Sequence, residues 1–249
     1  MLRPSLACLM GFVALGACDK ATQPAASSGP VSVKVTQDKP PPGGTWADVV
    51  NATSAGAVMG NPNSELKLVE IGSLSCPVCK RFDDEGVPQL VEKYVKTGRV
   101  SWEFRPYIIH GAIDMAANLV ARCNGVKTFF PLVRAAYKDQ EQFVSKVEAA
   151  GQVKIAQIQT LPPNRLFVEM ASLAGLQDWA AARGVPQAKS NQCLSDQTLI
   201  DQEVQLTSDV TNQYPDFYGT PSFILNGKLL PRDSASWAGL EPQLQAALK

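Results

Sequence analysis

One region in the first half of the chain changes its apolar spacing from a two-residue repeat to a three- or four-residue repeat. Apolar and polar residues mostly alternate over 66–71, and this aliphatic-rich pattern predicts a β-strand. Over 80–96 the apolar residues mostly recur every three or four positions, as along one face of a helix. Gly86 and Pro88 predict a kink or break near the middle of that helix. The sequence therefore predicts a strand followed closely by a helix.

The rest of the chain predicts a mixed α/β protein. A further strand is predicted at 100–106, and Asn-Gly at 226–227 between two apolar runs is typical of a two-residue hairpin turn. The long stretch between these strands has helical spacing, interrupted by proline and glycine. The predicted helices are 112–123, 129–147, 166–182, 187–194 and 198–214, the hairpin strands are 222–225 and 228–230, and a closing helix is 237–248.

Cys76 and Cys79 stand at the junction between the first predicted strand and helix. A helix N-terminus carries unpaired backbone N–H groups and the positive end of the helix dipole, and both stabilise a thiolate. A Cys-x-x-Cys pair at this position is therefore typical of a thiol–disulfide exchange centre. We expect Cys76 to be the attacking nucleophile, because it lies nearer the helix terminus, and Cys79 to be the resolving thiol.

Glu70 is an acidic residue inside the otherwise apolar strand that precedes Cys76. Burying an unpaired carboxylate is costly, so a buried position would need a functional reason. Proton transfer to and from Cys79 is one such reason. Alternatively, Glu70 points outward from a half-exposed strand, and the strand pattern alone leaves both interpretations open.

Two groups of residues resemble the DsbA family of bacterial envelope thiol–disulfide oxidoreductases. The first group is Gly60-Asn61-Pro62 before the first strand, Glu70, the Cys76-Pro77-x-Cys79 motif and the strand 100–106. The second group, near the C-terminus, is Gly219-Thr220-Pro221-Ser222-Phe223 followed by Asn226-Gly227-Lys228. The resemblance covers about residues 55–249. It implies a thioredoxin-like α/β fold with an inserted helical subdomain at about 112–213.

The resemblance also implies how a substrate would bind. Thioredoxin-like families place a cis-proline loop opposite the cysteines, and Thr220 and Pro221 occupy that position here. An extended substrate segment would pair with the Thr220 backbone in a strand-like manner, beside Pro77 and Val78 of the cysteine motif. No dissociable cofactor and no metal site are expected, because the Cys76–Cys79 disulfide is itself the redox carrier.

The N-terminal segment is typical of a targeting signal followed by a tether. Residues 1–17 contain Arg3 and then an apolar run too short to span a bilayer, which needs about 20 apolar residues. The sequence 15–18, Leu-Gly-Ala-Cys, resembles a bacterial lipobox, in which Cys18 would receive the lipid. The alternative is a secretory signal with an incidental cysteine. Residues 18–45 are rich in Pro, Ala and Ser and predict a flexible tether, leaving 46–249 as the DsbA-like domain.

Cys123 and Cys193 remain after the other cysteines are assigned, since Cys8 belongs to the predicted signal. Exported proteins tend to pair such cysteines, and some DsbA-family members carry cysteines at similar places in the helical insertion. The resemblance therefore implies a structural Cys123–Cys193 disulfide. The alternative is two buried free thiols that behave as small apolar side chains.

Val78 departs from the family pattern. The strongly oxidising members carry histidine at this position, and histidine can stabilise the Cys76 thiolate whereas valine cannot. A less depressed thiol pKa and a less oxidising centre are expected. The direction of electron flow thus stays open among disulfide formation, isomerisation and reduction. His110, the single histidine, follows a strand, and we expect it to be a surface residue without a catalytic role.

The composition and the motifs together limit the function classes. Lys plus Arg and Asp plus Glu each number 23, so no nucleic-acid partner is indicated. We predict thiol–disulfide exchange with cysteines of exported proteins, most simply disulfide formation, in a periplasm-facing, lipid-anchored monomer served by a membrane redox partner. A thioredoxin-like metal chaperone and a non-catalytic protein-binding module are the alternatives. The presence of both cysteines and the Thr-Pro loop argues against the binding module.

Overall fold

The computed structural model of the protein describes residues 39–249. The predicted signal at 1–17, the lipid-attachment residue Cys18 and most of the predicted tether lie outside these residues. The first regular element, a short 3₁₀ turn, begins at Trp46. No helix within residues 39–249 is both long enough and apolar enough to cross a membrane.

The described residues form a mixed sheet with helices on both sides of the central strands. The strands are β1 (Val50–Ala52), β2 (Ala57–Met59), β3 (Leu66–Gly72), β4 (Val100–Pro106), β5 (Ser222–Leu225) and β6 (Lys228–Leu229). The helices are α1 (Pro77–Glu85), α2 (Val87–Leu90), α3 (Ala112–Arg122), α4 (Val126–Lys138), α5 (Gln140–Gln159), α6 (Pro163–Ala174), α7 (Leu176–Ala181), α8 (Gln187–Ser195), α9 (Gln197–Gln213) and α10 (Trp237–Ala247). Helices α3 to α9 are inserted between β4 and β5.

The sheet order is β1-β2-β4-β3-β5-β6. Strands β3 and β4 are parallel, and the other neighbouring pairs are antiparallel. Strand β3 therefore lies at the centre, with Glu70 opposite Phe104 of β4 and Phe223 of β5. This arrangement brings the chain after β3, which contains the cysteines, next to the loop that precedes β5.

The hairpin formed by β1 and β2 corrects one sequence expectation. The strand after Gly60-Asn61-Pro62 is not the first strand, because this hairpin precedes it and pairs with β4 through β2. Each of its strands has three residues, which is too short for a two-residue alternation to stand out. Its pairing with β4 stabilises it.

Three predicted helices are interrupted in the structure. The helix predicted at 80–96 is divided into α1, α2 and a π-helical turn, Val91–Val95, with the break at Gly86 as expected. The helix predicted at 129–147 is wrong as a single element, since Asp139 separates α4 from α5. The helix predicted at 166–182 is likewise two helices, because Gly175 adopts a left-handed conformation with φ +74°.

The main core lies between the sheet and the inserted helix α4. Trp102 stacks near Phe130 with ring centroids 4.9 Å apart, and Phe104 lies 6.1 Å from Tyr137. On the same face, Phe82 of α1 packs against Phe223 of β5 at 4.6 Å. The helix that carries the cysteine motif is therefore fixed on the central strands by buried aromatic contacts.

Candidate active site

Cys76 is the residue that precedes the first turn of α1. Its backbone is extended, with φ −81° and ψ 121°, and Pro77 begins the helix. Proline is favoured at this position because the first helical N–H has no partner within the helix. Cys76 is 6% exposed and Cys79, one turn later, is 0% exposed, whereas Val78 between them is 41% exposed. Cys76 thus sits at the surface end of the motif and the Cys79 thiol inside it.

The two thiols have opposite pKa shifts. The pKa of Cys76 is lowered to about 5, first because the Cys79 thiol hydrogen-bonds to its sulfur, against the opposing effect of burial. The Thr220 side chain and the backbone N–H groups of Cys79 and Val78 lower the pKa further. Burial raises the pKa of Cys79 well above its ordinary value, and the neighbouring Cys76 raises it further. At neutral pH the arrangement favours a thiolate at Cys76 and a thiol at Cys79.

The loop before β5 lies directly against Cys76. The Thr220-Pro221 peptide bond is cis, and the Cys76 thiol donates a hydrogen bond to the Thr220 carbonyl over 3.5 Å. Gly219 precedes this pair with φ +113°, a conformation that favours glycine. The structure therefore brings Cys76, Pro77, Val78, Thr220 and Pro221 together at one surface, the site where the sequence places substrate binding.

Glu70 points into the main core and not to solvent. Its side chain is 1% exposed, and Trp102 Nε1 donates a hydrogen bond to Oε2 over 3.1 Å. Oε1 has no hydrogen-bond partner among the described residues. Burial, and then the charge of Asp83, raise the pKa of Glu70 well above its usual range. Of the two interpretations left open by the sequence, the structure excludes the exposed one.

Tyr137 is a further buried side chain near Glu70 and Cys79, close enough for their charges to affect its pKa. Its side chain is 1% exposed, and its hydroxyl has no hydrogen-bond partner among the described residues. Burial raises the Tyr137 pKa, and the charges of Cys79 and Glu70 raise it further. Cys79, Glu70 and Tyr137 therefore form a buried group of proton-carrying side chains behind Cys76.

Asp114, at the start of α3, fixes the backbone just before the cysteine motif. Its fully buried carboxylate accepts hydrogen bonds from the hydroxyls of Ser73 and Ser75, at 2.8 and 2.7 Å. It also accepts from the backbone N–H groups of Ser75, Ile109 and His110. Sequence reasoning missed this cluster. The available signal was an acid within the apolar face of a predicted helix.

Two further side chains from the inserted helices contact the segment that contains the cysteine motif, one at its start and one on α1 beyond Cys79. Gln140 Nε2 donates to the carbonyls of Leu74 and Cys76, at 3.0 Å each. Arg134 Nε lies 3.4 Å from Oδ1 of the buried Asp83, which is one turn after Cys79 on α1. Neither residue carries a sequence signal, because their partners are distant along the chain.

The remaining predicted residues lie around or away from this surface. His110 Nδ1 is 2.7 Å from the Ser75 hydroxyl, and the imidazole is about half exposed. Cys123 and Cys193 are joined in a disulfide that links the end of α3 to α8. Within residues 39–249 no three His, Cys, Asp or Glu side chains are grouped as a metal site.

Comparison with known proteins gives the family. The thioredoxin family model matches residues 52–246. A Rickettsia bellii protein named "Putative protein-disulfide oxidoreductase" is 27% identical over 170 residues, which cover 68% of this chain and 56% of that protein. A Rickettsia felis protein of the same name is 28% identical, with 68% and 52% covered. The chain thus spans little more than half the length of these curated relatives.

Solved structures agree with the sequence relatives. The crystal structure of a protein-disulfide isomerase from Novosphingobium aromaticivorans has a TM-score of 0.71 and 32% identity, and the match covers 77% of this chain and 96% of that one. Wolbachia pipientis alpha-DsbA1 shares the fold, with a TM-score of 0.57, 20% identity and coverage of 77% and 89%. These matches confirm the predicted thioredoxin-like fold, and the chain belongs to the thioredoxin family.

Proposed function

We propose that the protein forms disulfide bonds in exported proteins through Cys76 and Cys79. The observation that carries this proposal is the opposite pKa shift of the two thiols, lowered at the more exposed Cys76 and raised at the buried Cys79. A low-pKa thiol is a good leaving group from a mixed disulfide, while a buried thiol with a raised pKa is protected from external reagents. This division of roles suits a centre that oxidises other proteins.

The reaction begins with the oxidised Cys76–Cys79 pair. A substrate thiolate attacks Cys76 Sγ, forming the mixed disulfide and breaking the internal one. Cys79 leaves and takes a proton, for which we assign the buried Glu70, with its raised pKa, as the donor. A second substrate thiolate then attacks the substrate sulfur of the mixed disulfide, and Cys76 leaves as a thiolate. The substrate gains one disulfide, and the protein holds two thiols that a membrane redox partner reoxidises.

The low pKa of Cys76 favours electron flow from the substrate thiols to the Cys76–Cys79 disulfide. At pH 7, two units above a pKa of about 5, thiolate formation stabilises the reduced protein by about 3 kcal/mol relative to an ordinary thiol. For a two-electron couple this raises the reduction potential by about 60 mV. The pKa of about 5 lies between those of DsbA, about 3.5, and thioredoxin, about 7. The lower oxidising power expected from Val78 stays a prediction.

Trapping of mixed disulfides tests the assigned roles. Cys79→Ser is expected to accumulate Cys76-linked partners from an envelope extract, because no internal thiol can release them. Cys76→Ser is expected to trap none and to lose exchange activity. Equal trapping by both variants would overturn the assignment of Cys76 as the nucleophile.

Isomerisation is the second candidate, because the Novosphingobium aromaticivorans relative is titled a protein-disulfide isomerase. The reduction potential of the Cys76–Cys79 pair, titrated against glutathione, distinguishes the two. A potential near that of DsbA, about −120 mV, supports disulfide formation, and one near or below about −180 mV supports isomerisation or reduction. A substrate with scrambled disulfides provides the parallel activity assay.

We further propose that the protein faces the periplasm as a lipid-anchored monomer. The basis is the lipobox-like sequence 15–18 and the tether-like composition of 18–45. Metabolic labelling with a radioactive fatty acid is expected to mark the full chain and not Cys18→Ser. The unlabelled Cys18→Ser variant should appear in the soluble periplasmic fraction. Equal labelling of the wild type and the variant would exclude Cys18 as the lipid site.

A further inference from the structure

An open groove of about 380 Å³ begins beside the nucleophile. Its apolar lining comes from Pro77 at the start of α1, Ile113 of α3, and Val144 and Val147 of α5. His110 and Glu148 contribute polar groups to the same lining. This volume falls in the range of sites that hold small ligands or a few side chains, about 300–1,000 Å³.

The groove is continuous with the surface on which thiol–disulfide exchange would occur. Pro77 and Ser75, which line it, are the two chain neighbours of Cys76. The Thr220 carbonyl oxygen lies 3.5 Å from Cys76 Sγ. A polypeptide bonded through its sulfur to Cys76 and paired with the Thr220 backbone therefore has its next residues at the mouth of the groove.

The acidic groups of the groove lack basic partners. Glu148 and Glu141 are both exposed, and Glu141 lines an adjoining cavity that shares Pro77, Val144 and Glu148. Among residues 39–249 neither carboxylate has a Lys or Arg nitrogen within 4.0 Å. Lys80, which also lines the adjoining cavity, is paired with Asp84 at 2.5 Å. An apolar floor with unpaired carboxylates at the rim complements an aliphatic side chain next to a cationic one.

We propose that this groove binds the substrate segment beside the reacting cysteine and selects an aliphatic residue followed or preceded by lysine or arginine. The inference rests on the proposed disulfide exchange and adds a substrate preference to it. Pro77, Ile113, Val144 and Val147 contact the aliphatic side chain, and Glu148, with Glu141, attracts the cation. The preference acts on association of the substrate and not on the chemistry of the sulfur atoms.

The test compares synthetic dithiol peptides that differ only beside the first cysteine. The variable pair is Leu-Lys, Leu-Glu, Ser-Lys or Ser-Glu, placed before the cysteine in one series and after it in another. The oxidised full-length protein converts the two peptide thiols to a peptide disulfide, and Cys76 and Cys79 become thiols. Each second-order rate constant is divided by that of the same protein variant with dithiothreitol.

In the series that occupies the groove, we expect Leu-Lys to react at least about threefold faster than Leu-Glu. Glu148→Lys should reverse this ratio, and Val144→Ser should remove the advantage of Leu over Ser. Glu169→Lys, an equal charge change at an exposed position of α6, is the matched control and should leave both ratios as in the wild type. Ratios in Glu148→Lys equal to those of the control would overturn the groove assignment.

Failure of the inference can be distinguished from failure of the proposed function. If the wild-type protein oxidises dithiothreitol and oxidises all peptides at equal rates, the proposed function stands and the groove assignment is overturned. If the wild-type protein oxidises none of them, the proposed function is overturned. The groove is then tested by fluorescence anisotropy of labelled peptides in which serine replaces cysteine, and tighter binding of Leu-Lys than of Leu-Glu would support it. A dimer in sedimentation whose formation is abolished by Glu148→Lys would assign the groove to a second copy and overturn the proposal.

Discussion

Asp83 shows how burial sets the charge state of a single side chain near the cysteines. The residue is 4% exposed, and burial raises its pKa to about 6, although Arg134 lowers it in part. A folded-state pKa above the unfolded value of 3.8 means that the protonated form contributes stability below pH 3.8, and that this stability is lost as the pH rises through about 6. Arg134 therefore compensates only part of the cost of a buried carboxylate at neutral pH.

Asp83→Asn should gain stability relative to the wild type as the pH rises from 4 to 7. The gain is about 2 kcal/mol, because asparagine does not ionise and the wild type bears the cost of the buried charge. Urea unfolding of both proteins at a series of pH values measures it. Asp84→Asn, an exchange at the neighbouring exposed acid, is the control. A stability difference that does not change with pH would contradict the raised pKa.

Asp114 illustrates the opposite case, a buried carboxylate whose oxygens are satisfied. It accepts five hydrogen bonds, from Ser73, Ser75 twice, Ile109 and His110. Asp114→Ala removes the acceptor of the Ser73 hydroxyl and of the three backbone N–H groups and should destabilise the protein by about 3 kcal/mol or more. Amide hydrogen exchange at Ser75, Ile109 and His110 should accelerate in the same variant. Asp178→Ala, at an exposed helical position, serves as the control, and similar losses in both would refute this account.

At the scale of elements, the inserted helices hold the catalytic motif and do more than cover it. Gln140 begins α5 and donates hydrogen bonds to the carbonyls of Leu74 and Cys76, while Arg134 of α4 pairs with Asp83 of α1. Asp114 of α3 fixes the loop before Cys76. The geometry of Cys76 therefore depends on three helices that lie far from it along the chain.

The disulfide between α3 and α8 is expected to stabilise this insertion. It closes a loop of 70 residues, for which the chain-entropy model gives about 4 kcal/mol. Replacing Cys123 and Cys193 together by alanine should lower the free energy of unfolding by that amount, as measured in urea. Oxidised wild type is the reference, and the Cys76–Cys79 pair is kept in the same redox state in both proteins. Equal stability of the two proteins would show that the cross-link does not restrict the unfolded chain.

At the scale of the whole molecule, the redox state and the stability of the protein are linked. The lowered pKa of Cys76 stabilises the reduced fold fully above the unfolded thiol pKa of 9.0, and this contribution is lost as the pH falls through about 5. The oxidised protein has no titrating thiol at this site. Asp83 and Glu70 are present in both redox states, so their contributions largely cancel in the comparison.

The stability of the reduced protein minus that of the oxidised protein should therefore fall by about 3 kcal/mol between pH 7 and pH 4. Urea unfolding of each redox form at both pH values measures the difference, with the Cys123–Cys193 disulfide kept intact. The matched control is Cys76→Ser, in which neither the Cys76 thiolate nor the Cys76–Cys79 disulfide can form, so its stability minus that of the oxidised wild type should stay constant over this pH range. A constant difference across this pH range would contradict a thiolate at Cys76.

The sequence alone was sufficient for the local features of the site. Alternation and helical spacing placed β3, β4, β5 and the start of α1, because the apolar pattern of each element is visible within its own few residues. The cysteine spacing at a helix start gave the candidate chemistry, and the family resemblance gave the loop at Thr220 and Pro221. Short or interrupted elements were missed, namely the β1–β2 hairpin and the breaks at Asp139 and Gly175. Their positions depend on partners elsewhere in the fold.

Only the tertiary structure decided how these pieces act together. The strand pattern left open whether Glu70 faces the core or solvent, and the side chains packed on the face of β3 that carries Leu66, Leu68 and Glu70 decided that it is buried. Asp114, Gln140 and Arg134 bond to residues on either side of the cysteine motif, across 39 to 66 residues of chain, a relation that no local pattern encodes. The sequence determined which side chains carry the chemistry, and long-range packing decided their burial, their protonation and the groove beside them, because electrostatic shifts and surface shape arise from neighbours in space and not in sequence.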